Sequence, residues 1–145
     1  MRGALGLDPG TVRVGLAAAD PTGSLASPVA VLPRGRAHEL WDRVRTEAAA
    51  RESDVIVVGL PRELDGSEGP AAADARALAA DAQRETGLPV ELYDERFTSA
   101  QAERSLIAGG MRRDRRRRTV DGVAAALMLQ GWLDSRRART RARTG

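Results

Sequence analysis

The chain has 145 residues, about the size of one compact domain, and contains no cysteine. This excludes disulfides, zinc–thiolate centres and thiol nucleophiles, and the single histidine, His38, cannot build a multi-histidine metal site.

All 23 basic residues are arginine. Residues 1–111 hold 12 arginines against 17 acidic residues, a net charge of −5, whereas residues 112–145 hold 11 against 3, a net charge of +8. This asymmetry favours a polyanionic partner, with nucleic acid as the first candidate.

Only a few weakly apolar residues precede Asp8, too few for a signal peptide, and no apolar run approaches the length of a membrane span. We therefore expect a cytoplasmic protein with no membrane partner.

The first part of the chain predicts three strands joined by tight turns. Residues 3–8 and 12–19 are short apolar runs separated by a Pro-Gly pair, which is a turn signal typical of antiparallel neighbours. A second turn at residues 20–23 leads into a third strand at residues 25–32.

Helices and strands alternate in the rest of the chain. Apolar residues at helical spacing predict a helix at residues 38–51, and the β-branched run at residues 54–60 is typical of a strand buried on both faces of a parallel sheet. The remaining predicted elements are a loop at 61–70, helices at 71–86, 98–110 and 119–134, and a strand at 90–95.

These elements predict an α/β fold made of one domain over residues 1–134. Its mixed five-stranded sheet has three antiparallel strands followed by parallel strands and is flanked by helices. Residues 135–145 carry no apolar side chain larger than alanine, so we expect them to form a basic, disordered tail.

Acidic side chains stand at the ends of two predicted strands and in the last helix. Asp8 ends the first strand, on the face opposite its leucines, and Asp121 lies beside an apolar face of the helix at 119–134. Asp94 and Glu95 end the fifth strand on opposite faces, and strand alternation does not choose between them. Each acid also has an ordinary structural explanation, as a turn residue, a helix N-terminal residue or one half of an ion pair.

The combination of these acids is more specific than any one of them. A two-metal phosphodiester site needs several carboxylates that project from rigid elements toward one point. Mg²⁺ and Mn²⁺ prefer oxygen ligands, and two ions about 3.5–4 Å apart activate a water and stabilise the leaving oxygen. The acids therefore predict a site for two Mg²⁺ or Mn²⁺ ions.

Four segments of the chain carry distinctive motifs: GLDPGTVRVGLAAAD (6–20), VVGLPRELDGSEGP (57–70), LPVELYDERFTSAQAE (88–103) and VDGVAAALMLQGWLD (120–134). In order and spacing they resemble the motifs of the YqgF/RuvX family of Holliday junction resolvases and pre-16S rRNA nucleases, which have an RNase H-like fold. The resemblance covers residues 3–134, departs at Ala19 where the family often has serine, and leaves the tail outside. It implies that Asp8, Glu95 and Asp121 are the catalytic, metal-binding carboxylates.

Side chains near these carboxylates are predicted to hold the phosphate backbone. The glycine-rich loop at residues 59–70 would let the backbone approach a phosphate chain, or it is an ordinary surface loop. With few aromatic residues in the chain, no base-stacking platform is expected. The predicted nucleic-acid-binding residues are Arg13, Ser67, Arg96, Arg112, Arg113, Arg115, Arg116, Arg117 and Arg118.

The leading hypothesis is a metal-dependent endonuclease, a hydrolase in which an activated water attacks phosphorus in line. Its substrate would be structured nucleic acid: the 5′ end of pre-16S rRNA in ribosome biogenesis, a Holliday junction in DNA recombination, or both. One alternative keeps the fold without catalysis, as an RNA-binding ribosome-assembly factor. Another follows from the first motif, which also resembles the phosphate loop of sugar kinases and actin-like ATPases, but those proteins close two such domains on the nucleotide.

The choice between precursor rRNA and branched DNA stays open, since phosphate contacts carry no base information. Junction resolution needs two sites related by a twofold axis and implies a homodimer, although no dimer face is evident in the sequence. Processing of rRNA implies association with the ribosome.

Overall fold

A five-stranded sheet with helices on both faces forms the framework of the protein. The computed structural model describes residues 3–97 and 120–144, and the side chains of all of these except positions 97, 120, 121 and 140–144. Its elements are strands β1 (Ala4–Pro9), β2 (Arg13–Ala19), β3 (Ala26–Pro33), β4 (Val55–Leu60) and β5 (Val90–Asp94), helices α1 (Ala37–Ala50), α2 (Pro70–Thr86) and α3 (Val120–Thr144), and a 3₁₀ turn at Glu95–Phe97.

The strands lie in the order β3-β2-β1-β4-β5. Strands β1, β2 and β3 pair antiparallel, whereas β4 pairs parallel with both β1 and β5. This confirms the predicted mixed α/β sheet. Because β1, β4 and β5 run in the same direction, they finish at one end of the sheet, which we call the C-terminal rim.

Helices α1 and α2 cover one face of the sheet. Strand residues that alternate along β1 and β4 point to this side, among them Leu5, Leu7, Ile56 and Val58, and they pack with Trp41 of α1 in one buried cluster. The strand residues between them point to the opposite face, where Asp8 follows Ala4 and Gly6 in the alternation.

Helix α3 covers that opposite face. A Cβ built on Gly6 would lie 3.0 Å from the Cβ of Leu129, so the glycine allows the helix to approach β1 closely. The buried Gln130 fixes the helix to the start of β3, because its Oε1 accepts from the Ala26 N–H at 2.9 Å and its Nε2 donates to the Ser24 carbonyl at 2.9 Å. Satisfying both ends of a buried amide makes this contact specific as well as favourable.

The direction of α3 places its first turn on the side of the C-terminal rim. Met128 lies against the middle of β1, where its Cε is 3.2 Å from a Cβ built on Gly6. Two turns later, Arg136 lines a surface cavity with Asp54 and Pro89, which precede β4 and β5. The helix therefore runs from the rim toward the beginnings of the parallel strands.

The last helix continues to Thr144, across most of the segment for which we expected a disordered tail. Arginine and alanine are good helix formers, and extending an existing helix requires no new nucleus. The Arg136 guanidinium also lies 5.2 Å from the centre of the Trp132 ring, and Arg137 pairs with Asp134 at 3.3 Å. The helix predicted at 98–110 falls outside the described residues.

Within residues 3–97 and 120–144, no helix is long and apolar enough to cross a membrane.

Candidate active site

Two carboxyl groups meet at the C-terminal rim, on the α3 face of the sheet. Asp8 lies near the end of β1, and Glu95 opens the 3₁₀ turn that follows β5. Their side chains share a hydrogen bond, although β4 lies between the two strands that carry them. The structure thus brings together two of the three predicted carboxylates.

Gly59 of β4 provides the space for this contact. A Cβ built on Gly59 would lie only 2.5 Å from the Oε1 of Glu95 and 3.2 Å from its Cδ, so any side chain there would displace the carboxyl group. We expected this glycine to allow close approach of a phosphate chain. In the structure it is the carboxyl group of Glu95 that packs against it.

The contact makes ionisation of Glu95 unfavourable. Burial raises the pKa of Glu95 from 4.5 to about 8, with further contributions from the hydrogen bond to Asp8 and from the negative charges of Asp8 and Asp94. Carboxyl groups held this close need a shared proton or a cation between them. Oxygen-only donors on rigid strand ends fit a hard divalent cation.

Asp94 lies in the opposite environment. Its side chain is 9% exposed and its Oδ2 lies 2.8 Å from Nη2 of Arg96 and 3.7 Å from Nη1 of Arg62. The hydrogen bond from Arg96 holds the pKa of Asp94 below its ordinary value. Of the two adjacent acids that strand alternation could not separate, Glu95 is therefore the one that contacts Asp8.

The third predicted carboxylate, Asp121, belongs to the first turn of α3, but its side chain lies outside the described part of the structure. Among the side chains that are described, no group of three or more acidic or histidine residues converges.

The predicted nucleic-acid-binding residues are only partly described. Arg13 is exposed at the start of β2, beside the turn that follows β1 at the rim. Ser67 is exposed in the β4–α2 loop, where its N–H donates to Oδ1 of Asp65 at 2.9 Å. Arg96 is engaged with Asp94. The other six, Arg112, Arg113, Arg115, Arg116, Arg117 and Arg118, lie outside the described residues.

A groove of about 790 Å³ borders β5 and includes arginines that the sequence motifs did not single out. Arg62 lies two residues beyond β4, and its buried Nε has no hydrogen-bond partner within the described residues. The one feature of the sequence that could have identified Arg62 as a candidate is its position just beyond a buried strand. The arginines that line the groove are Arg62, Arg76, Arg96 and Arg139.

Known proteins match the chain over nearly its whole length. The profile of the RuvX family, described as Holliday junction resolvase, matches residues 2–135. A protein named "Putative pre-16S rRNA nuclease" from Anaeromyxobacter sp. (strain Fw109-5) is 48% identical over 136 residues, which cover 92% of this chain and 98% of that protein. A protein of the same name from Mycobacterium ulcerans (strain Agy99) is 43% identical over 134 residues, covering 92% of this chain and 79% of that protein.

Among solved structures, "T. thermophilus RuvC in complex with Holliday junction substrate" superimposes with a TM-score of 0.58 at 17% identity, covering 93% of this chain and 96% of that one. At this identity the likeness concerns the fold alone, and it supports the predicted RNase H-like α/β architecture. The extended match to the family profile, together with relatives above 40% identity, confirms the predicted family: the chain belongs to the RuvX family of Holliday junction resolvases.

Proposed function

We propose that the protein is a metal-dependent endonuclease that hydrolyses phosphodiester bonds in structured nucleic acid. The observation that carries this proposal is the contact between the carboxyl groups of Asp8 and Glu95 over Gly59 at the C-terminal rim. A partly buried acid such as Glu95, held against a second carboxyl group with a strongly raised pKa, is unfavourable for the fold by itself, and such groups concentrate at functional sites.

The proposed cofactors are two Mg²⁺ or Mn²⁺ ions, held by the predicted set Asp8, Glu95 and Asp121. When bound, such ions supply Lewis-acid activation of a water and of the leaving oxygen. Asp8 is well suited to its role because β1 is the central strand, paired on both sides, and holds the carboxyl group in place. Glu95 gives up its proton from the carboxyl group when a cation replaces it, and Gly59 leaves room for that group.

The arginines of the chain position the substrate in this proposal. Arg13 is exposed at the start of β2 and Ser67 is exposed in the β4–α2 loop, and the predicted arginine set at 112–118 precedes Asp121 in the chain. The groove beside β5 carries further arginines, of which Arg62, Arg76 and Arg96 lie in ion pairs with Glu68 or Asp94. Phosphate contacts of this kind fix the register of a nucleic acid without reading its bases.

The name of the relatives favours pre-16S rRNA as the substrate. In this proposal the cut falls at the 5′ end of that RNA, in the cytoplasm and in association with the ribosome. The description of the family favours a Holliday junction, for which the protein would act as a homodimer. Both substrates are branched or structured and both are cut by phosphodiester hydrolysis, so one carboxylate site serves either.

The proposal is tested by cleavage of a synthetic pre-16S rRNA fragment and a synthetic four-way DNA junction in Mg²⁺, Mn²⁺ or EDTA. We expect cleavage of at least one probe with either metal, none in EDTA, and loss of cleavage in Asp8→Asn. The matched control is Asp81→Asn, which removes one exposed acid from α2 that pairs with Arg84. Binding that ignores both EDTA and Asp8→Asn, without cleavage, would instead identify an RNA-binding assembly factor.

A further inference from the structure

Two large apolar side chains are exposed within the described part of the chain: Leu64 at 97% and Val12 at 69%. Both belong to loops at the C-terminal rim. Val12 lies in the turn after β1, four residues beyond Asp8, and Leu64 lies in the loop after the neighbouring strand β4, five residues beyond Gly59. The exposed large apolar groups of the described residues therefore belong to loops at the same end of the sheet as the carboxyl pair.

The loop that carries Leu64 is tied together by its own hydrogen bonds. The Gly66 N–H donates to the Glu63 carbonyl at 2.9 Å, and the Glu63 N–H donates to the Ser67 carbonyl at 3.0 Å. Gly66 has a φ of 90°, a conformation that strongly favours glycine, and this closes the turn around Leu64 and Asp65.

Ion pairs hold the same loop to the body of the protein. Glu68 accepts from Arg76 at 2.6 Å and lies 3.5 Å from Arg62, and a Cβ built on Gly66 would be 3.4 Å from the guanidinium of Arg96. Leu64 is thus presented to solvent by an ordered turn.

The residues around Leu64 favour the bases of a nucleic acid over a protein as the partner of its side chain. Its loop carries charges of both signs, including Arg62, Glu63 and Asp65, so it offers no continuous apolar patch. Two isolated side chains fall far short of the several hundred Å² of apolar surface that typically marks a protein-docking site. A single leucine is, however, sufficient to wedge between bases where a stack is interrupted.

We propose that Leu64 is an apolar wedge that contacts the bases next to the cleaved phosphodiester, with Val12, in the turn after β1, as a second and weaker apolar contact. This inference rests on the proposed nuclease function and adds a basis for substrate choice. Inserting the side chain costs least where stacking is already broken, as at a branch point or a helix end. The wedge therefore favours branched or interrupted nucleic acid over a continuous duplex.

The test uses a four-way DNA junction with 2-aminopurine at the branch point, and an RNA stem with 2-aminopurine at its last base pair. Fluorescence is read on binding with Ca²⁺ in place of Mg²⁺. We expect fluorescence to rise on binding of the parental protein to at least one probe, the rise to be lost in Leu64→Ser, and Leu64→Met to restore it. In Mg²⁺, kcat/KM for the same probe should fall about tenfold in Leu64→Ser, the factor expected when part of a leucine loses its apolar contact, and less in Val12→Ser.

Because Leu64 contacts no core, its variants should keep the parental unfolding midpoint. A parental protein that binds without any fluorescence change, or a Leu64→Ser protein with an unchanged rise, would overturn the wedge. So would a Leu64→Ser protein that alters only the oligomeric state, which would identify a protein contact instead. A fluorescence rise that depends on Leu64, without cleavage, would support the base contact of Leu64 and contradict the nuclease function. Failure to bind either probe would contradict both proposals.

Discussion

Asp94 and Glu95 are consecutive acids at the end of β5, and they lie in opposite electrostatic regions. The Asp94 carboxylate is bound by Arg96 and lies near Arg62, and its pKa is lowered. Glu95 instead meets the carboxyl group of Asp8, and its pKa is raised to about 8. The chain supplies cations to one carboxylate and brings a second carboxyl group to the other.

This difference distinguishes a structural acid from a candidate functional one. An acid that the protein neutralises with its own arginines stabilises the local fold and needs no further ligand. An acid buried beside another acid is stable only with a proton or an external cation, so its environment depends on what is bound. Substitutions at these acids and at the residues that contact them test the difference.

The largest effect should come from Asp8→Asn, which removes one member of the crowded pair. We expect cleavage to fall by at least about a thousandfold, since several kcal/mol of transition-state stabilisation depend on the metals. Single-turnover cleavage of whichever probe the parental protein cuts measures this loss, and Asp81→Asn should retain the parental rate. Equal rates for Asp8→Asn and Asp81→Asn would contradict the assignment.

Gly59→Ala should act on the same pair without altering its charge. The new methyl group would meet the Glu95 carboxyl at 2.5 Å and displace it, and a displacement of about 1 Å at a catalytic group costs roughly a hundredfold in rate. Gly35→Ala is the matched control, because nothing lies within 4 Å of a Cβ built there. Cleavage rates are compared at a temperature where circular dichroism shows that both variants are folded, and a fully active Gly59→Ala would show that Glu95 needs no such space.

The pH dependence of stability should separate Glu95 from ordinary acids. Between its unfolded pKa of 4.5 and its folded pKa of about 8, the folded protein holds a proton that the unfolded chain has lost. This contribution to stability is complete below the lower value and disappears as the pH rises through the higher one. In EDTA, the unfolding midpoint of the parental protein should therefore fall relative to Glu95→Gln between pH 5 and pH 8, and parallel curves would refute the raised pKa.

Asp94→Asn should have the smallest effect, and mainly on stability. Losing the charge-assisted hydrogen bond from Arg96 should cost about 1 kcal/mol near neutral pH. Because the pKa of Asp94 is lowered, the contribution is present above the unfolded pKa of 3.8 and is lost as the pH falls through the folded value. Urea unfolding at pH 7 and at pH 3 checks this, and a difference between parental and variant proteins that grows at acid pH would contradict it.

Part of this contrast could be predicted from the sequence. The alternation of residues in β1 puts Asp8 on the face opposite Leu5 and Leu7, as the structure confirms. Alternation likewise separates Asp94 from Glu95, but it does not say which of the two faces carries Asp8. That depends on the parallel pairing of β4 with both β1 and β5, which is a long-range property.

Other features had no local signal at all. The role of Gly59 follows from its pairing with Tyr93, because this register brings the carboxyl group of Glu95 against Gly59. A glycine within a predicted strand does not by itself indicate such a contact. The exposure of Leu64 could not be predicted either, because the sequence pattern of a loop does not indicate whether a leucine in it is buried or exposed. The continuation of α3 past residue 134 differs, because the arginines and alanines there favour a helix, and the contact of Arg136 with Trp132 adds to that preference.

The central claim is that the carboxyl pair of Asp8 and Glu95 exchanges a proton for a divalent cation. Calorimetric titration with Mn²⁺ at pH 7, in buffers of different ionisation enthalpy, counts the protons released on binding. The account predicts about one proton per protein for the parental chain, because Glu95 with a pKa of about 8 is mostly protonated at that pH, and close to none for Glu95→Gln. Mn²⁺ binding without proton release, or the same release in Glu95→Gln, would contradict it.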